Sequence, residues 1–273
     1  MSSSLRTVVA VCCLLLTVAG CAGSAPDQLA AGGAGPAPEQ LRVEVLSTRA
    51  HDPSAFTQGL EVAGGQLYEG TGLTGRSRVT RSDLATGTEL ASAALPADLF
   101  GEGLTVVGDT VWQLTWQDGV ALRRDATTLA ETGRASYTGE GWGLCHQDGH
   151  PGGVLVMSDG TDTLTFRDPT TFAPTGSVSV RLQGAPLTQL NELECVAGAV
   201  WANVWQTDRI VQIDPATGTV TAVVDAAGLL DRSQAPGADV LNGIAAVGDR
   251  FLITGKLWPT TYEVRFVPVA DAP

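Results

Sequence analysis

From residue 41 onward, short apolar runs alternate with polar positions and are cut every few residues by glycine, proline or aspartate. Two-residue alternation bounded by turn residues predicts strands. No stretch holds a sustained 3.6-residue apolar period, so helices are expected to be minor. One short signature recurs five times: Gln58-Gly59-Leu60, Glu102-Gly103-Leu104, Trp142-Gly143-Leu144, Asn191-Glu192-Leu193 and Asn242-Gly243-Ile244, at intervals of 44, 40, 49 and 51 residues. Each is followed by a glycine-containing turn and a second apolar strand, such as QLYEG after Gly64-Gly65 and TVWQLTW after Gly108-Asp109. Third strands run into aspartate-containing turns at residues 81–87, 166–172 and 212–218. A period in the forties built from short strands predicts an all-β, five-bladed β-propeller of four-stranded antiparallel sheets.

A ring of blades has to close. The strand at residues 42–48 precedes the first signature and has no hairpin partner of its own, while the fifth repeat ends on the strand at 262–269. The N-terminal strand is therefore expected to complete the last blade and remove its open edge. That sets a propeller domain at residues 41–269.

The segment before it reads differently. Arg6 followed by the apolar run 8–18 has the form of an export signal over residues 1–20, too short to span a membrane. Val18-Ala19-Gly20-Cys21 resembles the lipobox of bacterial lipoproteins, which implies lipidation of Cys21. Residues 21–40, rich in Ala, Gly and Pro, read as the lipidated cysteine and a flexible linker. The expectation is an exported protein, lipid-anchored on the extracytoplasmic side of a bacterial membrane. In that oxidising compartment Cys145 and Cys195 form either a disulfide or two separately buried thiols. The net charge of −13, with no basic run, argues against nucleic acid as a partner.

In a propeller the first strand of each blade lines the axis. Gln58, Glu102, Trp142 and Asn191 would then converge on one mouth, while Asn242 reads as a backbone-bonding residue. A carboxyl group at an axial mouth, such as Glu102, needs a partner or a role. Lys256 is the single lysine beside 15 arginines, which marks either a position that demands an ammonium or the chance survival of one codon. The three histidines, His51, His146 and His150, make no metal-ligand pattern, and neither a metal nor a cofactor is expected.

The same residues carry a family resemblance. His51-Asp52-Pro53 with residues 55–60, Phe100-Gly101-Glu102-Gly103-Leu104, Leu114-Thr115-Trp116 and Glu140-Gly141-Trp142-Gly143-Leu144 resemble, in order, motifs of the plant and bacterial glutaminyl-peptide cyclotransferases. Met157-Ser158-Asp159-Gly160, residues 190–194, 203–208 and 241–245, and Thr254-Gly255-Lys256-Leu257-Trp258 continue the series. The resemblance implies a five-bladed propeller with its active site at the channel mouth. It implies Glu102 as the catalytic residue, with Phe56, Gln58, Phe100, Trp116, Trp142, Asn191, Trp205 and Lys256 binding substrate.

The implied reaction is internal to the substrate: an N-terminal Gln of a peptide or protein closes on its own carboxamide to give pyroglutamate and ammonia. One carboxyl group placed between the two nitrogens can move both protons. Amides, an indole N–H and an ammonium can meet the developing oxyanion. The remaining acids of the motifs, Glu140, Asp159, Glu192, Glu194 and Asp208, read mostly as hydrogen-bond acceptors between blades. Propellers host many functions, so a non-catalytic surface propeller that binds a protein or glycan is the competing reading. A metal-dependent lactonase-type propeller is a third.

Overall fold

The computed structural model describes residue 35 and residues 37–149 and 152–269. The signal-like segment, Cys21 and His150 lie outside them. Strand β1 spans Glu39–Ala50, starting inside the segment read as linker. The first repeat gives β2 (Thr57–Ala63), β3 (Gln66–Thr71), β4 (Arg78–Asp83) and β5 (Glu89–Ala94); the second gives β6 (Gly101–Val107), β7 (Thr110–Thr115), β8 (Val120–Asp125) and β9 (Glu131–Ser136). The third gives β10 (Leu144–Gln147), β11 (Val154–Met157), β12 (Thr163–Arg167) and β13 (Pro174–Ser179), followed by the small hairpin β14 (Arg181–Leu182) and β15 (Ala185–Pro186). The fourth gives β16 (Leu190–Val196), β17 (Ala199–Val204), β18 (Arg209–Asp214) and β19 (Thr219–Asp225), and the last gives β20 (Leu241–Val247), β21 (Arg250–Gly255) and β22 (Thr260–Pro268). The described residues contain no helix.

The first three repeats form separate four-stranded antiparallel sheets, as the turn spacing predicts. The last two correct the expectation of five independent sheets. β1 pairs antiparallel with β22 from Leu41 to Ala50, and its residues Glu39–Arg42 also pair in parallel with β19. The fourth and fifth repeats thereby merge into one sheet, in the order β16-β17-β18-β19-β1-β22-β21-β20, with β14 and β15 attached at its side. Closure thus differs from a strand that serves one blade alone, because a strand has two edges and β1 uses both.

The first strands of the repeats touch in the cyclic order β2, β6, β10, β16, β20 and back to β2. The apolar core lies between neighbouring repeats: Tyr68 and Val79 pack with Leu104 and Val111, and Trp112 and Leu114 with Leu144 and Leu155. Leu60 against Ala245 and Leu252 closes the circle. Successive residues of a strand face opposite neighbours, so inner strands such as β6 and β7 are buried over five consecutive residues, while outer strands such as β5 and β9 alternate between half-buried and exposed positions. Glycine in the signature lets the inner strands approach: a Cβ on Gly103 would sit 2.6 Å from the Trp142 carbonyl oxygen, and one on Gly59 2.6 Å from the Leu104 nitrogen. In the fourth repeat Glu192 replaces that glycine. Its buried carboxyl accepts the Leu60 N–H (3.2 Å) and the Ile244 N–H (2.8 Å), tying three repeats together. A disulfide joins Cys145 on β10 to Cys195 on β16, with Cα atoms 5.4 Å apart.

Candidate active site

Four of the five signatures interrupt their ladders; the third, Trp142-Gly143-Leu144, leads into β10, which pairs regularly with β11. The register slips between Thr57 and Gly59, Gly101 and Leu104, Leu190 and Leu193, and Leu241 and Ile244. A bulge re-aims the residue within it, and the residues at these slips include Gln58, Glu102, Asn191 and Asn242. Phe56 and Phe100 immediately precede first strands and Trp142 stands two residues before one, while Trp116, Trp205 and Lys256 immediately follow second strands. First strands start where second strands end, so all of these positions meet at one end of the ring.

The nine residues singled out by sequence, Phe56, Gln58, Phe100, Glu102, Trp116, Trp142, Asn191, Trp205 and Lys256, line a single pocket of about 260 Å³. Its wall is aromatic. Phe56 meets Phe100 edge-on at 6.1 Å, Phe100 lies 5.6 Å from Trp116, and Trp142 stands edge-on to Trp205 at 5.4 Å. Its floor is polar and buried: Gln58, Glu102, Asn191 and Lys256 are each at most 5% exposed.

The floor is wired in one direction. Asn242 donates from Nδ2 to the Thr57 carbonyl (2.9 Å) and to Gln58 Oε1 (3.2 Å). That fixes the Gln58 amide, whose Nε2 donates to Glu102 Oε1 at 3.0 Å. Burial raises Glu102 well above the usual carboxylate range; Lys256 opposes the shift and Glu140 adds to it. Burial likewise lowers Lys256, against the pull of Glu102 and Asp239. The Lys256 ammonium lies 4.9 Å from the Phe56 ring centre and has no hydrogen-bonding partner among the described residues. It is therefore free to meet a ligand's oxygen.

Sequence reasoning missed the part played by Glu140. Its Oε2 accepts both the Trp116 indole N–H (2.8 Å) and the Trp142 indole N–H (2.9 Å), and its Oε1 accepts Gln117 (2.9 Å). Two indole donors are thus spent on the wall, which leaves Trp205 as the pocket indole able to serve a ligand. The other acids go elsewhere. Asp159 caps its own turn through Thr161, Glu192 ties inner strands as described, and Asp208 lines a separate surface hollow. Among the described residues no three His, Cys, Asp or Glu side chains are grouped so as to hold a metal ion.

Comparison with known proteins follows the same lines. A model of the glutamine cyclotransferase family matches residues 13–266. A glutaminyl-peptide cyclotransferase of Arabidopsis thaliana is 40% identical over 230 residues, covering 82% of this chain and 71% of that protein. The crystal structure of a Myxococcus xanthus glutaminyl cyclase matches with a TM-score of 0.77 at 37% identity, covering 85% of this chain and 99% of that one.

Proposed function

The chain belongs to the glutamine cyclotransferase family, and from that membership we infer that its pocket cyclises N-terminal glutamine of peptides to pyroglutamate with release of ammonia. The observation that carries this reading is a buried carboxyl, Glu102, at the floor of an aromatic-walled pocket of about 260 Å³. The substrate brings nucleophile and electrophile together, so the pocket has to hold one rotamer and move protons.

The α-amine nitrogen attacks the carboxamide carbon while Glu102 takes one amine proton. The C–N bond to the ring forms and the carbonyl becomes an oxyanion. Glu102 then returns the proton to the carboxamide nitrogen, the old C–N bond breaks, and ammonia leaves. A raised affinity for the proton brings Glu102 closer to the amine it serves, which favours transfer in both directions. Gln58 holds one oxygen of Glu102 and leaves the other free for the substrate. The Lys256 ammonium, the Asn191 amide and the Trp205 N–H are the donors open to the oxyanion. The aromatic wall excludes water, which strengthens each of these contacts.

The fold reading that accompanies this function is a five-bladed propeller, supported by the five-membered circle of first strands. Anchoring through Cys21 after export rests on the lipobox-like sequence, and a Cys21→Ser protein should leave the membrane fraction. The deciding experiment incubates the purified domain with a peptide that begins with Gln. Mass loss of one ammonia per peptide, with ammonia in solution, is expected. A folded domain that binds such peptides without releasing ammonia would be a binding propeller instead.

A further inference from the structure

The turn that carries Lys256 is strained and depends on neighbours for its shape. Leu257 has φ +60°, and a side chain on Gly255 would collide with the Trp258 indole. The turn is docked on the segment that carries Phe56: Leu257 N–H donates to the Ala55 carbonyl (2.7 Å) and His51 N–H to the Pro259 carbonyl (2.9 Å). Between the two lies the His51 ring, with its side chain 7% exposed.

Both ring nitrogens of His51 face acceptors. Nδ1 is 2.6 Å from the Trp258 carbonyl oxygen, and Nε2 is 2.9 Å from Glu69 Oε1. A neutral imidazole has one N–H and would set a lone pair against one of these oxygens. Among the described residues no neighbour relieves that conflict. The Thr254 hydroxyl, 3.5 Å from Nδ1, donates to the Thr260 carbonyl, and the Thr57 hydroxyl donates to Glu69 Oε1 itself. We propose that His51 is a positioning residue: as an imidazolium donating from both nitrogens, it fixes the Lys256 turn to β3 and to the Phe56 segment.

The electrostatic surroundings agree. Burial opposes the charge, but Glu69 on β3, the Trp258 carbonyl after β21 and Asp52 in the ring's own segment outweigh it, and the His51 pKa is raised. The staple is therefore complete at low pH and is lost as pH rises through that raised value. The kinetic consequence rests on the cyclase reading; the protonation state does not.

Two measurements test this. Nitrogen-15 NMR of the imidazole should show both His51 nitrogens protonated at pH 6, and Glu69→Gln should move the titration to lower pH. At saturating Gln-peptide, kcat should fall on the alkaline side, and Glu69→Gln should move that limb to lower pH in step with the NMR midpoint. His51→Gln should lower kcat by about 10- to 100-fold, the scale of an ångström-sized misplacement, with KM changed little. A neutral His51 at pH 6, or a Glu69→Gln protein with unmoved NMR midpoint and alkaline limb, overturns the proposal even if His51→Gln fails to fold. If the wild type releases no ammonia but keeps an imidazolium that responds to Glu69→Gln, the staple stands and the cyclase reading falls.

Discussion

Gln58 donates a 3.0 Å hydrogen bond from Nε2 to Glu102 Oε1, and its own Oε1 is held by Asn242. The carboxyl is therefore oriented by an amide that cannot flip without breaking a second bond. Replacing Glu102 by Gln keeps the shape and an acceptor for Gln58, but removes the group that moves protons. Steady-state kinetics of Glu102→Gln should show kcat reduced by about 10²–10⁴-fold with KM nearly unchanged. Near-wild-type turnover by a folded Glu102→Gln protein would falsify the assignment.

Glu140 makes a different prediction. It touches no reacting atom in the proposed chemistry, yet it holds two wall indoles with one oxygen. Glu140→Ala should raise KM by about tenfold, the scale of one lost hydrogen bond to a charged group, with a smaller effect on kcat. Tryptophan fluorescence should shift as Trp116 and Trp142 loosen. Unchanged KM and emission would show that the wall stands without its carboxylate.

Three carboxyls deeper in the ring govern stability against pH. Burial raises Glu192 and Glu194 well above the usual range and Glu61 to about 7, and repulsion from neighbouring carboxylates adds to the shift at Glu192 and Glu194. Each holds its proton more tightly folded than unfolded. Their stabilising contribution is complete below the ordinary value of 4.5 and is lost as pH rises through the folded values. The melting temperature should therefore fall between pH 5 and about pH 8. A melting temperature that climbs across this interval would contradict the burial of these acids.

The disulfide between first strands of adjacent repeats closes a loop with a sequence separation of 50. In the chain-entropy model such a loop contributes about 4 kcal/mol. Denaturant unfolding of the Cys145→Ala/Cys195→Ala double variant should show a loss of that order. A loss below about 1 kcal/mol would mean that the neighbouring sheets hold these strands unaided.

Much of this architecture is legible in the sequence for a definite reason. The signature recurs because most first strands need a small residue where the next strand crosses them, as at Gly59 and Gly103, and most carry a re-aimed side chain beside it. Alternation says which face a side chain takes, but it does not say which strand lies across an edge. The parallel pairing of Glu39–Arg42 with β19 was therefore hidden, and so was the hairpin β14–β15. The nine pocket residues were reached through ordered motifs, with periodicity alone placing four of them near one mouth. The His51–Glu69 pair and the grip of Glu140 on Trp116 join residues 18 and 24 apart, distances at which no sequence spacing signals a hydrogen bond.

The lone lysine of the chain stands in this pocket, its ammonium without a hydrogen-bonding partner among the described residues and its proton loosened by burial. Apart from the His51 imidazolium, which carries no amine, the other basic side chains that hold charge are arginines, inert to mild amine-directed reagents. Reductive methylation with isotopic formaldehyde would therefore tag one side chain only, at the floor of the cavity. The molecule carries its own site-specific spectroscopic reporter, one that needs no engineered residue and whose signal should disappear from the labelling profile whenever a ligand shields Lys256.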